Sequence, residues 1–159
     1  MMESSIRLEH EFTYRTAAVG RHELGDGPYG TRHYYEMVDG VIEGARVAGR
    51  TLGSGADWML IGEDGFLRMD VRIQILNNDD AVLCARYHGP AEANARLHQS
   101  IASGQPTSFS DQRIRSVWEL ESGDPRYAWV NQSVFVGEGR FCPSGTAGSG
   151  FEHRVHRVA

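Results

Sequence analysis

The 159-residue chain contains no lysine; all sixteen of its basic residues are arginine. That removes Schiff-base chemistry on a lysine, and lysine as a general base. There are two cysteines, Cys84 in an apolar segment and Cys142 in a glycine-rich one. A domain of this size needs no disulfide to fold, and none is expected. No Cys-x-x-Cys, His-x-His or His-Glu-x-x-His pattern occurs. His153 and His156 are three apart in an extended segment, so they point to opposite faces and cannot chelate together. No metal is expected. Gly-x-Ser-x-Gly is also absent, which removes the nucleophile elbow. The glycine run near the C-terminus has no helix behind it to receive a phosphate, and no cofactor motif is present, so no cofactor is expected. No basic patch interrupts a net charge of −5, which argues against nucleic acid. No apolar run approaches membrane-spanning length, and the opening MMESSIRLEHEF has no signal-peptide core. The expectation is a cytoplasmic protein without membrane contact.

What is present is alternation. Residues 53–72, GSGADWMLIGEDGFLRMDVR, form the segment on which the reading centres. An apolar run at 59–61 meets the turn pair Asp64-Gly65, and the return strand alternates. Leu67, Met69, Val71, Ile73 and Ile75 share one face; Arg68, Asp70, Arg72 and Gln74 share the other. Strands are also predicted at 5–16, 31–38 and 41–47, the last two joined by a hairpin turn at Asp39-Gly40. Residues 17–30 read as a loop. Further strands fall at 81–89, 110–121, 126–136 and 151–158. Residues 90–103 have helical composition, with Pro90 placed to start the helix. Residues 137–150 are so rich in glycine that they read as a flexible flap. Nine or ten short strands joined by tight turns predict one all-β domain over 1–159. Its form is a single antiparallel up-and-down barrel with one short helical insert. Such a barrel can hold one small ligand.

A longer pattern runs through the same residues. It takes in Asp39-Gly40, Glu43-Gly44, Gly49, Gly55-Ala56-Asp57-Trp58, Asp64-Gly65 and Asp70-Val71-Arg72. It continues through Asp79-Asp80, Gly89 and Tyr127-x-Trp129-x-Asn131 to a closing strand from Phe151. In this the chain resembles the bacterial and fungal β-barrel family of unknown function catalogued as DUF3237 (UPF0311). The resemblance covers about residues 7–158. It implies a compact antiparallel barrel, often a homo-oligomer, and it implies no reaction.

Three constellations are candidates for a site. Asp57, Asp70 and Arg72 form the first. If the polar face of the return strand points inward, Arg72 is desolvated beside two carboxylates. Asp57 would then be the acid/base, Arg72 an oxyanion clamp and Asp70 a reserve, with Trp58 as a wall. The alternative is an outward ladder of ion pairs, and alternation alone does not decide between them. Tyr127, Trp129 and Asn131 share one face of a predicted strand and suit an apolar ligand with a polar handle. Arg32, Tyr34 and Glu36 form a third face, opposite His33, Tyr35 and Met37; either could line a cavity. His88, ending a strand beside Gly89, is a further candidate base. The function expected is a small-molecule barrel, an isomerase, lyase or lactone-opening enzyme working by proton transfer on a small aromatic or carbonyl compound. The alternatives are a lipocalin-like binding protein without turnover and an oligomeric interaction barrel.

Overall fold

The structure, a computed structural model, describes residues 5–143 and 149–159. The strands are β1 Leu8–Gly27, β2 Gly30–Gly44, β3 Gly49–Thr51, β4 Gly55–Ile61, β5 Phe66–Asn77, β6 Val82–Glu92, β7 Arg115–Glu121, β8 Phe135–Phe141 and β9 Gly150–Val158. One α-helix, α1 Ala95–Ser103, follows β6, and a 3₁₀ segment, Pro125–Gln132, follows β7. Every strand pairing is antiparallel, and chain neighbours pair in turn until β9 returns to β1. The short β3 and the longer β4 both lie between β2 and β5, so they act as one interrupted stave. The result is a closed up-and-down barrel of eight staves, a size whose interior side chains can fill.

The filling is largely aromatic and aliphatic. Phe12, Tyr14, Val71, Ile75, Leu83, Tyr87, Trp118, Phe135 and Val155 are buried within it. β5 shows the division clearly: Met69, Val71, Ile73 and Ile75 are buried, while Arg68, Arg72 and Gln74 are exposed. The two ends of the barrel are closed by different elements. At one end the 3₁₀ segment seats Tyr127 and Val130 in the core. At the other, called the mouth here, α1 lays Leu97 across the opening. Asn94 caps α1 by accepting a hydrogen bond from the Leu97 amide at 3.1 Å, and Gly104, at φ 71, ends it.

Several boundaries differ from the sequence expectation, each for a physical reason. The segment 17–30 is not a loop, because β1 runs on through it to a two-residue turn at Pro28-Tyr29. Asp39-Gly40 does not reverse the chain. It is a bulge within β2, with Asp39 at φ 53 and the register to β1 shifting there. Pro90 lies in β6, and the helix begins at Ala95 under its Asn94 cap. The predicted strand at 126–136 is mostly the 3₁₀ segment.

The glycine-rich stretch is not a flap from its start. Gly137 and Gly139 belong to β8 because the interior has no room for a side chain there. A methyl group at 137 would lie 2.6 Å from Ser116 Oγ, and one at 139 would lie 2.9 Å from His153 Nδ1. The remainder of that expectation, 144–148, lies outside the described residues. Among the described residues no helix is long and apolar enough to cross a membrane.

Candidate active site

β4 pairs regularly with β2 from Gly55 onward, so its side chains alternate strictly. Asp57 and Met59 therefore face the interior, and Trp58 faces out. Asp57 is only 4% exposed. It stands opposite Tyr35 on β2 and opposite Val71 on β5. Its Oδ1 accepts a hydrogen bond from the Asp70 amide at 3.1 Å.

Asp57 lines a narrow cavity of about 70 Å³ at the mouth. Met37, Met59, Leu67 and Phe151 form apolar walls, Tyr35 supplies a phenol, and Leu97 and Ile101 of α1 form the lid. Among the described residues no arginine lines it. Burial pushes the Asp57 carboxyl up to about 6; the Asp70 amide opposes that shift and the Asp70 carboxylate adds to it. Burial also raises the Tyr35 phenol. The arrangement can hold an acid that exchanges its proton near neutral pH beside a phenol that donates a hydrogen bond.

A second polar group lies deeper in the barrel. Tyr14 on β1 and His153 on β9 are register partners, and their rings stack with centroids 6.2 Å apart. Tyr87 stacks on Trp118 at 4.0 Å and lies 5.1 Å from His153. Burial drives both tyrosines well above the usual phenol range, and the Asp57 charge adds to it. Burial brings His153 down to about 4, so its imidazole is neutral. Thr16 and Tyr87 lie beside the Tyr14 hydroxyl without reaching hydrogen-bonding geometry, and Tyr14 Oη has no partner. His153 Nδ1 has none either.

Of the acid, base and arginine candidates named from the sequence, Asp57 alone reaches the cavity. Asp70 and Arg72 are on the outer face of β5, the reverse of the inward reading, because the barrel takes the apolar face of that strand. Asp70 lies 3.8 Å from Arg86, and Arg72 stands opposite Arg86. Trp58 packs outside against Tyr34, with centroids 4.8 Å apart, and Arg32 donates to the Trp58 carbonyl. Arg32, Tyr34 and Glu36 occupy the outer face of β2, and the opposite face, Tyr35 and Met37, lines the cavity. His88 is exposed in an outer groove of about 650 Å³ with Leu8, Pro90, Val117, Val136 and His156. That groove is larger than the mouth cavity, but it is open and none of its ionisable side chains is buried.

Tyr127, Trp129 and Asn131 close the other end of the barrel. Tyr127 Oη donates to Asp79 at 2.5 Å. The Arg46 guanidinium lies 3.6 Å from the Trp129 ring centroid. Asn131 exchanges two hydrogen bonds with the Ser122 backbone. These are anchoring contacts. The sequence reading did not bring Tyr14, Tyr87 and His153 together as a buried cluster; the inward alternation of Phe12, Tyr14 and Thr16 was the available signal. Among the described residues no three His, Cys, Asp or Glu side chains gather as a metal would require.

The fold defines a class, the closed antiparallel β-barrels, and in this chain a helix lies over one end of the barrel with Asp57 buried beneath it. The chain matches the family described as Protein of unknown function (DUF3237) over residues 6–158 and belongs to it. It is 25% identical over 137 residues to a UPF0311 protein of Rhodopseudomonas palustris, covering 86% of this chain and 89% of that one. It is similar in structure to a β-barrel-like protein from Acinetobacter baumannii, with TM-score 0.80, 23% identity, and 99% and 98% of the two chains covered. It is also similar to an enzyme from Penicillium herquei, with TM-score 0.69, 14% identity, and 100% and 98% covered.

Proposed function

We propose that this protein is an acid/base enzyme that moves a proton on a small, mainly apolar carbonyl or aromatic compound bound at the mouth of the barrel. The observation that carries the reading is Asp57: a buried carboxyl in a narrow, mainly apolar cavity, lifted to about 6 with no arginine among the described residues of the cavity wall. A base near that value is well matched to neutral pH. Asp57 as carboxylate takes a proton from carbon or from water, and the Tyr35 hydroxyl donates a hydrogen bond to the oxygen on which charge develops. Isomerisation, elimination and lactone opening all fit that pair. The similar Penicillium herquei protein is an enzyme, which is consistent with chemistry on this fold.

The cavity is small, so a ligand of more than a few atoms requires α1 to lift Leu97 and Ile101. The test is a panel of enolisable ketones and lactones. Proton exchange at carbon is followed by NMR in deuterated buffer, and lactone opening by base uptake, with wild-type and Asp57→Asn protein. Conversion by wild type alone supports the reading; equal rates in both remove Asp57 from it.

A second reading, an interaction barrel, is favoured by the dense filling below the cavity and by the outer groove at Val117 and Val136. It predicts no conversion of any panel member and association in light scattering that substitution of Val117 by Asp abolishes.

A further inference from the structure

The outer groove of about 650 Å³ is of a size that holds a small molecule, and its lining is mainly apolar. A row of register partners forms its floor. His88 on β6 stands opposite Val117 on β7, Val117 opposite Val136 on β8, and Val136 opposite His156 on β9. Register partners share a face, so the two valines lie side by side on the outside with an imidazole at either end. Leu8, on β1 beyond β9, carries the apolar strip further. Val117 is 42% exposed and Leu8 is 59% exposed. From β7 to β1 is three strand spacings, so the strip is about 14 Å long.

The charge beside the strip is one-sided. Arg115 lies two residues before Val117 on the same face of β7. Its guanidinium donates to the Ile114 carbonyl at 3.0 Å and, among the described residues, reaches no carboxylate. Glu138, its register partner on β8, is drawn instead to Arg154 at 2.8 Å. Asp70, opposite His88 on β5, lies 3.8 Å from Arg86. The groove therefore presents a guanidinium and two imidazoles to solvent, in a chain whose net charge is −5.

We infer that this groove binds an unbranched apolar monocarboxylate, a medium-chain fatty acid, with its carboxylate on Arg115 and its tail along Val117, Val136 and Leu8. The site is separate from the mouth cavity and does not rest on proton transfer by Asp57. The guanidinium fork meets a carboxylate with two parallel donors. The strip matches an extended tail of about ten carbons, which releases water from the valines and Leu8 as it settles. An alcohol of the same length keeps the tail contacts and loses the ion pair. An amine sets like charge against Arg115.

The experiment titrates the full-length protein with octanoate, decanoate, decanol and decylamine, each below its micellar concentration. Calorimetry gives affinity, and amide ¹H–¹⁵N spectra give location. Decanoate should bind about fivefold more tightly than decanol, the upper worth of an ion pair open to water, and decylamine more weakly than either. Each methylene in a half-open groove should add about twofold, so decanoate should exceed octanoate about fourfold. Decanoate should shift the amides of His88, Arg115, Val117, Val136 and His156 and leave those of Tyr35 and Leu97 at the mouth in place. Arg115→Met removes the charge from an exposed side chain, and should bring decanoate to within about twofold of decanol while decanol binds as before. Asp57→Asn should bind decanoate as wild type does, so this site and the proposed proton transfer fail separately. Decanoate that does not bind, binds no better than decanol, shifts the mouth amides instead, or keeps its advantage in Arg115→Met overturns the inference. So does a groove already covered by a second copy of the chain, seen as groove amides that shift with protein concentration when no ligand is present.

Discussion

Asp57 and Tyr35 stand directly opposite one another on β4 and β2, and both line the mouth cavity. Register partners on one face of an antiparallel pair have Cβ atoms about 5 Å apart, so an acid and a hydrogen-bond donor can reach the same ligand atom. Asp57→Asn should lower turnover about a hundredfold or more, the scale of a lost general base. Wild-type rate should rise with pH through about 6 and level above it, as the carboxyl ionises. A rate independent of pH between 5 and 8, read from initial velocities in constant ionic strength, would contradict the assignment.

The same shift has a stability consequence. Burial pushes the folded carboxyl up to about 6 from an ordinary 3.8, so the folded state holds the proton more tightly. Stability from that proton is complete below the unfolded value and is lost as pH rises through about 6. At pH 8 the ionised Asp57 therefore costs about 1–3 kcal/mol. Asp57→Asn should raise the melting temperature at pH 8, and the gain should vanish below pH 4. Calorimetric scans at the two pH values check this.

Arg72 lies outside the barrel, so Arg72→Met should change turnover and ligand affinity by less than about twofold and stability by less than about 0.5 kcal/mol. Loss of activity in a folded Arg72→Met protein would return that residue to the mechanism.

Asn131→Ala removes both hydrogen bonds that tie the 3₁₀ segment to Ser122. The expected cost is about 1–3 kcal/mol of stability in urea, with the kinetics of the surviving folded protein unchanged.

Gly139→Ala places a methyl group 2.7 Å from Ile114 Cγ2 and 2.9 Å from His153 Nδ1. Overpacking of this kind costs about 1–3 kcal/mol. Denaturant midpoints of the two proteins check this.

The barrel was legible from alternation, because inward and outward residues differ in polarity along β5. The hairpin at Asp64-Gly65 was legible for the same reason. Asp39-Gly40 was not, since the same dipeptide serves a turn or a bulge, and only the partner strand decides. Gly137 and Gly139 misled because glycine was read as freedom, whereas here it is absence of volume beside Trp118 and His153. Asp57 was singled out by its Gly-Ala-Asp-Trp setting, and the structure places it on the cavity wall. Arg72 was set beside it because it shares a polar strand face with Asp70, and polarity in β5 marks the outside of the barrel. Tyr127, Trp129 and Asn131 alternate like a strand but wind as a 3₁₀ turn, led by Pro125 behind the capping Asp124.

The pairing of β9 with β1 joins Leu8 to Val158. Until that pair forms, the sheet is an open ribbon with two unpaired edges, and every other contact of the wall can be made without closing it. Among the described strand pairs this closure carries the largest loop entropy, and it cannot begin before β9 has followed the other strands out of the ribosome. Folding should therefore stall at a ribbon-like intermediate whose exposed edges pair with those of other chains. The mouth cavity, whose wall includes Ala18 of β1 and Phe151 of β9, forms only in that final step, so a ligand that binds there favours the closed ring over the ribbon.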